Sequence, residues 1–384
     1  MWRHVTSNFL TILVVILAVS SGVILLGQSK YKEAGPLTQT ICLRVKDGTN
    51  MRKVSQELSE LGAVSSGTLF RMGADYSEKS HLLKAGSFLV PEGASMAEIV
   101  DIVTRGGQST CGTEVVYRIG ITRSQIQVRN LDPATNKYVE KVAFVPGEDE
   151  VPAAYTEVRS ATDLRFRIAL AEGVTVWQVV EALKVADFLD GEVENLPAEG
   201  TLAPDSYDVQ AGDSPLSVLE QMQVAQEKIL DAAWESRAEN LPLASKEEAL
   251  VLASIVEKET GIAEERRQVA SVFVNRLNQD IRLQTDPTVI YGITNGQGIL
   301  GRGLRQSELR RKTDYNTYQI DGLPPGPIAN PGKAAIEAAL NPDSTEYIFF
   351  VADGTGGHAF AKTLAEHNDN VERWRAIEAE RNNN

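Results

Sequence analysis

The chain has 384 residues, a formal net charge of −14 and an apolar share of 42%, which allows about two or three domains of ordinary globular composition. No run rich in Lys or Arg interrupts the acidic sequence. Nucleic acids and anionic membrane surfaces both require a basic footprint, so the charge argues against either as the main partner.

An apolar segment near the N-terminus, FLTILVVILAVSSGVILLG, runs over residues 9–27 without a charge. At about 1.5 Å per residue, a helix of this length spans a hydrocarbon core of roughly 30 Å. A cleaved signal peptide is the alternative, but the run is longer than a typical signal core and no A-x-A site follows it. We therefore predict a cytoplasmic tail over 1–8, a single membrane-spanning helix over 9–27 and a linker over 28–40. The flanking charges orient the helix only weakly, and the shortness of the tail favours an outside location for the rest of the chain.

The segment 41–112 is predicted to be a compact module. It opens with strand-like alternation and a turn at Gly48, and apolar residues at helical spacing follow. Cys42 and Cys111, the two cysteines of the chain, bracket this segment. In an oxidising compartment such a pair is expected to form a disulfide, and two small buried thiols are the alternative.

A weak internal repeat has an offset of 125 residues: LRVKDGTNMRKVSQEL (43–58) lines up with IALAEGVTVWQVVEAL (168–183), and Gly48 matches Gly173. Each copy predicts a strand, a glycine turn and a helix. This outline resembles the LysM carbohydrate-binding module, so 41–112 is predicted to be LysM-like and 166–214 to be a second LysM-like or linking region. The alternative is a structural module that sets distance from the membrane.

The remaining segments complete a predicted α+β fold. Residues 113–165 contain alternating stretches and an acidic loop (PGEDEVP), which predict an inserted β-rich arm. Helical spacing dominates from about residue 215, and we predict a catalytic domain over 215–376. The last residues, 377–384, are predicted to be a disordered tail.

One predicted helix combines an apolar body with two carboxylates in its last turn. Ser245 and Glu248 form the pattern of a capping box where the helix begins, and Gly261 is a natural stop. The apolar residues between them predict a helix that lies in a core. Glu257 and Glu259 point in directions about 200° apart.

The helical wheel favours Glu259 as a half-buried acid. Glu259 shares its face with Leu252 and Ile255, whereas Glu257 lies with the more polar Ser254. Desolvation and the partial negative charge at a helix C-terminus both raise a carboxyl pKa, as a general acid working near neutral pH requires. A plain solvated helix end is the alternative.

Five long motifs then follow in order: VLASIVEKETG, RRQVASVFVNRL, RLQTDPTVIYG, TDYNTYQIDGLPPGPIANPG and FFVADGTGGHAFAKTLAEHN. Together they resemble the YceG-like endolytic murein transglycosylases, over about residues 40–374 apart from the arm. The resemblance implies an N-terminal anchor, a LysM-like region and a catalytic domain related to lysozyme-like transglycosylases. Those relatives carry an A-I-x-x-x-E-S pattern, and Ser254–Thr260 superposes on it with Glu259 at the glutamate. The motif therefore indicates the residue that the helical wheel favours.

The resemblance also implies a reaction. A lytic transglycosylase cleaves the MurNAc–GlcNAc β-1,4 bond of peptidoglycan with one carboxyl group, here Glu259, and closes a 1,6-anhydro ring on MurNAc. This chemistry requires no metal and no organic cofactor. The expected location is the cell inner membrane, with the catalytic domain in the periplasm. The expected partners are peptidoglycan glycan strands and peptidoglycan synthases.

Polar and aromatic residues of the same motifs are candidate sugar contacts, because amides and hydroxyls bond to sugar hydroxyls and aromatic faces stack on pyranose rings. By analogy, the predicted substrate contacts are Gln284, Asp286, Tyr315, Asn316, Tyr318 and His358. For each of them a purely structural role is the alternative, and Asp286 is alternatively a helix cap. The glycine-rich turn before His358 lacks the order of a phosphate-binding loop, and no His/Asp spacing indicates a metal site.

Two other functions stay open at this point. A non-catalytic, membrane-anchored scaffold would bind peptidoglycan without releasing a product. A pyridoxal-phosphate lyase, a name that the family has sometimes carried, requires a Schiff-base lysine and a phosphate cup, and the sequence does not supply that pair convincingly.

Overall fold

A computed structural model of the chain describes residues 2–105, 109–159 and 164–382. Its helices and strands confirm the predicted mixed α+β class. The chain divides into two compact units. The first unit comprises 1–115, 127–143 and 151–165, and the second comprises 116–126, 144–150 and 166–384.

The helices and strands follow one another along the whole described chain. The helices up to the second repeat are α1 (Trp2–Lys32), α2 (Met51–Glu60), α3 (Gly67–Tyr76), α4 (Met96–Thr104), α5 (Ala153–Val158) and α6 (Val176–Lys184). The later helices are α7 (Pro215–Glu235), α8 (Lys246–Glu259), α9 (Arg266–Asn278), α10 (Asp286–Thr294), α11 (Gln306–Arg310), α12 (Lys333–Leu340) and α13 (Leu364–Asn382). The strands are β1 (Ile41–Val45), β2 (Gly86–Val90), β3 (Thr113–Ile119), β4 (Gln125–Asp132), β5 (Lys137–Phe144), β6 (Arg165–Leu170), β7 (Ser206–Val209), β8 (Phe349–Ala352) and β9 (His358–Ala361).

These strands form three sheets. β1 and β2 pair antiparallel with Ile41 opposite Val90, and β8 and β9 pair antiparallel with Phe349 opposite Ala361. The other five strands form one sheet in the order β5-β4-β3-β6-β7. The strands of the predicted arm therefore share a sheet with the strands of the second repeat.

Helix α1 is a candidate membrane anchor. Among the described residues, it alone is long and apolar enough to cross a membrane, with a candidate span of Thr11–Lys32. The predicted tail over 1–8 belongs to the same helix from Trp2 onward, and the predicted linker is wrong over 28–32, where the helix continues. The reason is tertiary packing, because the ring of Tyr31 lies directly on α3.

The first unit has its core between the β1–β2 pair and helices α2, α3 and α4. Fully buried Leu43, Val54, Phe70 and Ile99 lie in this core. A disulfide joins Cys42 on β1 to Cys111 beyond α4. The LysM-like nature of this module stays a prediction.

Both copies of the internal repeat have the predicted strand, glycine turn and helix. Gly48 and Gly173 adopt positive φ values of 71° and 76°, a backbone conformation that glycine adopts without a steric penalty. Two residues later, Asn50 and Thr175 cap the following helices by accepting backbone N–H bonds. The shared sequence pattern therefore encodes a shared local geometry.

The predicted disordered tail is wrong over 377–382, where α13 continues. Ile377 packs on Gly354, and the Arg381 guanidinium donates to the Gly354 carbonyl oxygen. These contacts hold the last turns of the helix against the glycine-rich loop. The final two residues, 383–384, lie outside the described residues.

Helix α8 forms the centre of the second unit. Every residue from Ala249 to Val256 is buried, with α7, α9, α10 and α12 packed around it. A helix that is apolar on all sides is stable only inside a core. This packing carries the last turn of α8, with its two carboxylates, to a fixed place at the edge of the core.

Candidate active site

Helix α8 begins and ends close to the predicted positions. The Ser245 hydroxyl oxygen accepts the Glu248 N–H at 3.3 Å, which confirms the predicted cap. The Glu248 carboxylate accepts the N–H of Ala244 at 2.6 Å instead of closing the box on Ser245. At the other end Thr260 is extended, with φ −144°, so the last helical residue is Glu259, two residues before Gly261.

Glu259 is half-buried and bonded to a hydroxyl group. Thr285 Oγ1 donates to Glu259 Oε1. Burial is the largest influence on this carboxyl group and raises its pKa, and the Asp286 carboxylate acts in the same direction. The Thr285 hydrogen bond and the electrostatic influence of the His358 and Arg276 side chains oppose the rise, but the pKa of Glu259 stays above its ordinary value. The direction of this shift favours the protonated form that a general acid needs.

A buried arginine, Arg276, forms hydrogen bonds to the backbone of the chain segment that carries Thr285. Arg276 donates to the carbonyl oxygens of Ile348 at 2.6 Å, Leu283 at 2.8 Å and Arg282 at 3.1 Å. It also approaches the Gln284 side-chain oxygen at 3.4 Å. We infer that Arg276 fixes the segment 282–285 and, through it, the partner of Glu259.

A second set of bonds holds Thr285 from the side. Its N–H donates to Thr317 Oγ1 at 3.0 Å, and its carbonyl oxygen accepts from the Thr288 hydroxyl at 2.8 Å. Gln284, just before it, has a left-handed backbone with φ 51°, which is uncommon for a residue other than glycine. These bonds stabilise the sharp bend that turns the Thr285 hydroxyl toward α8.

Three of the predicted contacts, Asp286, Tyr318 and His358, lie beside Glu259. Tyr318 donates its hydroxyl to Asp286 Oδ1 at 2.7 Å, and burial, followed by Asp286, raises the Tyr318 pKa. His358 Nδ1 lies 2.9 Å from Glu265 Oε2, and the His358 N–H donates to Glu265 Oε1 at 3.0 Å. The structure therefore brings an acid, a carboxylate, a phenol and an imidazole into one group.

The other three predicted contacts have different surroundings. Asn316 is fully buried, and its amide donates to the carbonyl oxygens of Glu308, Leu309 and Arg311. Its side-chain oxygen accepts the Tyr318 N–H at 3.0 Å. The prediction of a substrate contact is therefore wrong for Asn316. Its side-chain amide is fully engaged in hydrogen bonds to backbone groups, and one of these bonds orients Tyr318.

Tyr315 and Gln284 differ from each other in exposure. The Tyr315 ring packs on Tyr291 at a centroid distance of 4.9 Å, and its electrostatic neighbour is Glu199 rather than Glu259. Gln284 is exposed beside the bend. A role of either residue in substrate binding stays a prediction, and only Gln284 adjoins Thr285.

Sequence reasoning missed Thr285, Arg276 and Glu265. Thr285 lies between two predicted contacts in the same motif, so its position was a usable signal. Arg276 is a cation inside an apolar helical pattern (VFVNRL), and buried cations require partners. Glu265 carries no local signal, because its partner His358 is far along the chain.

Glu257 is also half-buried, so burial alone does not separate the two carboxylates. Burial raises its pKa, and its Oε2 accepts the N–H of Gly332 at 3.0 Å. Its charged neighbours are Glu172, Arg266 and Lys258. Ser254, on the more polar face that Glu257 shares, is as buried as the rest of α8, so the polarity of that face does not make it more exposed. What distinguishes Glu259 is the group of Thr285, Asp286, Tyr318 and His358 around it.

No cluster of three or more His, Cys, Asp or Glu side chains in the described residues is arranged to hold a metal ion.

Comparison with known proteins gives consistent matches. Residues 144–373 match the model for the YceG-like family. The chain is 27% identical over 337 residues to a Bacillus subtilis (strain 168) protein named endolytic murein transglycosylase, with 87% of this chain and 85% of the relative covered. A Streptococcus pneumoniae serotype 2 protein of the same name is 27% identical over 340 residues, with 86% of this chain and 58% of the relative covered.

Among solved structures, a 2.6 Å crystal structure of a putative yceG-like protein from Listeria monocytogenes aligns with a TM-score of 0.46 and 24% sequence identity. The alignment covers 86% of this chain and 99% of that one.

Proposed function

Because the chain belongs to the YceG-like family, we propose that it is an endolytic lytic transglycosylase that cuts peptidoglycan glycan strands, with Glu259 as its acid and base. The names of the Bacillus and Streptococcus relatives support this activity. The observation that carries the proposal is the half-buried Glu259, whose pKa is raised by burial and whose carboxyl group is bonded to Thr285.

The proposed reaction uses one carboxyl group twice. Glu259 in its protonated form gives its proton to the oxygen that links MurNAc to GlcNAc, and the bond from that oxygen to the anomeric carbon breaks. The carboxylate then takes the proton of the MurNAc 6-hydroxyl, whose oxygen bonds to the anomeric carbon. The products are a free GlcNAc 4-hydroxyl and a 1,6-anhydro-MurNAc end, and Glu259 is protonated again.

The neighbours of Glu259 have complementary parts in this proposal. Positive charge develops on the sugar ring as the bond breaks, and the Asp286 carboxylate stabilises it. Tyr318 holds Asp286 through its hydroxyl. Gln284 and His358 are the proposed hydrogen-bonding contacts to the strand, and Tyr315 is a proposed stacking surface further along it.

The location follows from α1 as a candidate anchor. We propose a single-pass protein of the cell inner membrane, with the catalytic region 215–376 in the periplasm. The modules 41–112 and 166–214 are proposed glycan-binding regions, and peptidoglycan synthases are proposed partners because both work on new strands.

The test is digestion of purified sacculi by the full chain and by Glu259→Gln, with the chain ends identified by mass spectrometry. We expect anhydro-MurNAc ends from the wild type and none from Glu259→Gln. Glu257→Gln is the matched control, since it changes the neighbouring carboxylate but keeps an oxygen to accept the Gly332 N–H, and it is expected to keep most activity. Binding of sacculi by the wild type without any anhydro product would instead favour a non-catalytic scaffold.

A further inference from the structure

Helix α3 is packed against the outer end of the candidate membrane span. A side-chain atom added at Gly27 would lie 3.8 Å from Leu69 Cδ1, and one added at Gly73 would collide with the Tyr31 ring. Leu69 therefore lies at the height of Gly27, and Gly73 lies against Tyr31. Both ends of this contact belong to the first unit.

The residues that follow α1 are hydrogen-bonded to the folded module rather than forming a free linker. The Gly35 N–H donates to the Gly93 carbonyl oxygen at 3.0 Å, and the Gly93 N–H donates to the Leu37 carbonyl oxygen at 2.9 Å. Leu37 is itself buried. The segment predicted as a linker thus fastens the folded module directly to the end of α1.

The two sides of α3 differ sharply in exposure. Phe70 and Ala74 are fully buried in the core of the module, whereas Met72 is 62% exposed and Tyr76 is 81% exposed. At about 100° per residue, Met72 points roughly 200° away from Phe70. Met72 and Tyr76 therefore form an apolar face that is turned away from the core, next to the side that contacts α1.

The position of this apolar face along the membrane normal is determined by its contact with α1. A hydrocarbon core of roughly 30 Å takes up about 20 helical residues, and headgroups begin where it ends. In a span of Thr11–Lys32, Gly27 and Tyr31 fall in the outermost turns. With α1 across a bilayer over this span, a helix held at that height would lie in the headgroup layer.

We propose that the apolar face of α3, Met72 and Tyr76, rests on the outer surface of the lipid bilayer beside α1. An amphipathic helix that lies in the interface presents such side chains to lipid, and tyrosine is favoured there because its ring is apolar and its hydroxyl is polar. In residues 33–105 the exposed large apolar side chains are Leu61, Met72, Tyr76 and Leu82, and the two most exposed of them, Met72 and Tyr76, are the two on α3. The inference goes beyond the enzymatic activity and rests on retention of α1.

The chain offers a simple way to label this face. Its two cysteines are bonded to each other, so Met72→Cys introduces a single thiol for a fluorescent probe. The full chain is reconstituted into vesicles of phosphatidylethanolamine and phosphatidylglycerol, and flotation first verifies that α1 is inserted. Emission is then measured with a nitroxide-bearing lipid as quencher and, separately, with aqueous iodide.

We expect the probe at position 72 to lose most of its emission to the lipid quencher and little to iodide. The matched control is Asp47→Cys, an exposed position in the turn after β1. This turn follows Val45, at the end of the β1–β2 pair that is far from Val90 and Gly93. Iodide is expected to quench the probe there, and the lipid quencher is not. Tyr76→Cys repeats the measurement at a position whose side chain is 81% exposed, which guards against a local folding defect at Met72.

Two outcomes would overturn the proposal. Quenching by iodide at position 72 as strong as at position 47 would place the face in water. Protection of position 72 from both quenchers would mean that another protein surface covers it.

Discussion

Replacement of Arg276 tests how the acid is held. The guanidinium of this buried residue serves three carbonyl oxygens, those of Arg282, Leu283 and Ile348. Arg276→Met keeps most of the aliphatic stem but removes every donor. Those carbonyl oxygens would then be left without this partner at the base of the segment that carries Thr285.

The expected loss in the free energy of unfolding follows from the three hydrogen bonds that Arg276 donates to carbonyl oxygens. A buried acceptor left unsatisfied costs about 1–3 kcal/mol, so the free energy of unfolding should fall by about 3–5 kcal/mol after overlap between neighbouring bonds. That is a large part of a typical domain stability of about 5–15 kcal/mol. Arg276→Lys keeps one donor group and should fall between the wild type and Arg276→Met.

Activity should fall as well, because a displacement of about 1 Å in a catalytic group can cost on the order of 100-fold in rate. The measurements are chemical denaturation and kcat on soluble glycan strands at a temperature where the variant is folded. Arg267→Met, on the same helix α9, is the matched control. Its exposed guanidinium forms a surface ion pair with Asp343 at 3.2 Å, and such a pair is worth about 1 kcal/mol or less. If Arg276→Met proved as stable and as active as Arg267→Met, the positioning role would be refuted.

Three further predictions concern the acid, the misassigned amide and the disulfide. Thr285→Val removes a donor that lowers the Glu259 pKa, so the pKa rises and the alkaline limb of kcat/KM moves to higher pH; a pH–rate profile that moves the other way would contradict this. Asn316→Ala should lower the free energy of unfolding by about 2–4 kcal/mol, whereas a raised KM with unchanged stability would restore it as a substrate contact. Replacing both Cys42 and Cys111 by Ala opens a loop with a sequence separation of 69 and should cost about 4 kcal/mol in the chain-entropy model. A denaturation experiment in which the free energy of unfolding of the first unit is unchanged would contradict this prediction.

Helix α8 could be predicted because its signals are local. The cap at Ser245 and the apolar run after it lie within one stretch of chain, and both determine where α8 begins and how deeply it is buried. The burial of the more polar face at Ser254 could not be predicted, because its cause is non-local. Its hydroxyl donates to the Val251 carbonyl oxygen and accepts the Ile328 N–H at 3.0 Å, and that second partner lies 74 residues away.

The loop motif NTY shows a different limit. Asn316 and Tyr318 are two residues apart and look equally suited to bind a sugar. In an irregular loop no fixed period tells which side chain points inward, unlike in a helix or strand. The structure buries Asn316 among backbone carbonyl oxygens and turns Tyr318 toward Asp286. Residue type predicted which segment lies near the candidate site, but it did not predict which of the two side chains is buried and which one faces Asp286.

The end of α1 shows how packing extends an element. The apolar pattern predicts a helix to residue 27, because the next residues are polar and flexible in composition. The helix continues to Lys32, where the ring of Tyr31 lies on Gly73. A partner 42 residues away in sequence leaves no mark on the local pattern, so the linker could not be recognised as part of the folded module.

The chemistry of the hydrogen-bond partners separates the two carboxylates of α8 more clearly than burial does. Glu257 accepts the backbone N–H of Gly332, a group that can only donate and therefore favours the ionised carboxylate. Glu259 is bonded to the hydroxyl of Thr285. A hydroxyl donates to a carboxylate and, after rotation, accepts from a carboxylic acid. A residue that gives up a proton in one step and regains it in the next needs a partner that serves both forms, and only Glu259 of this pair has one.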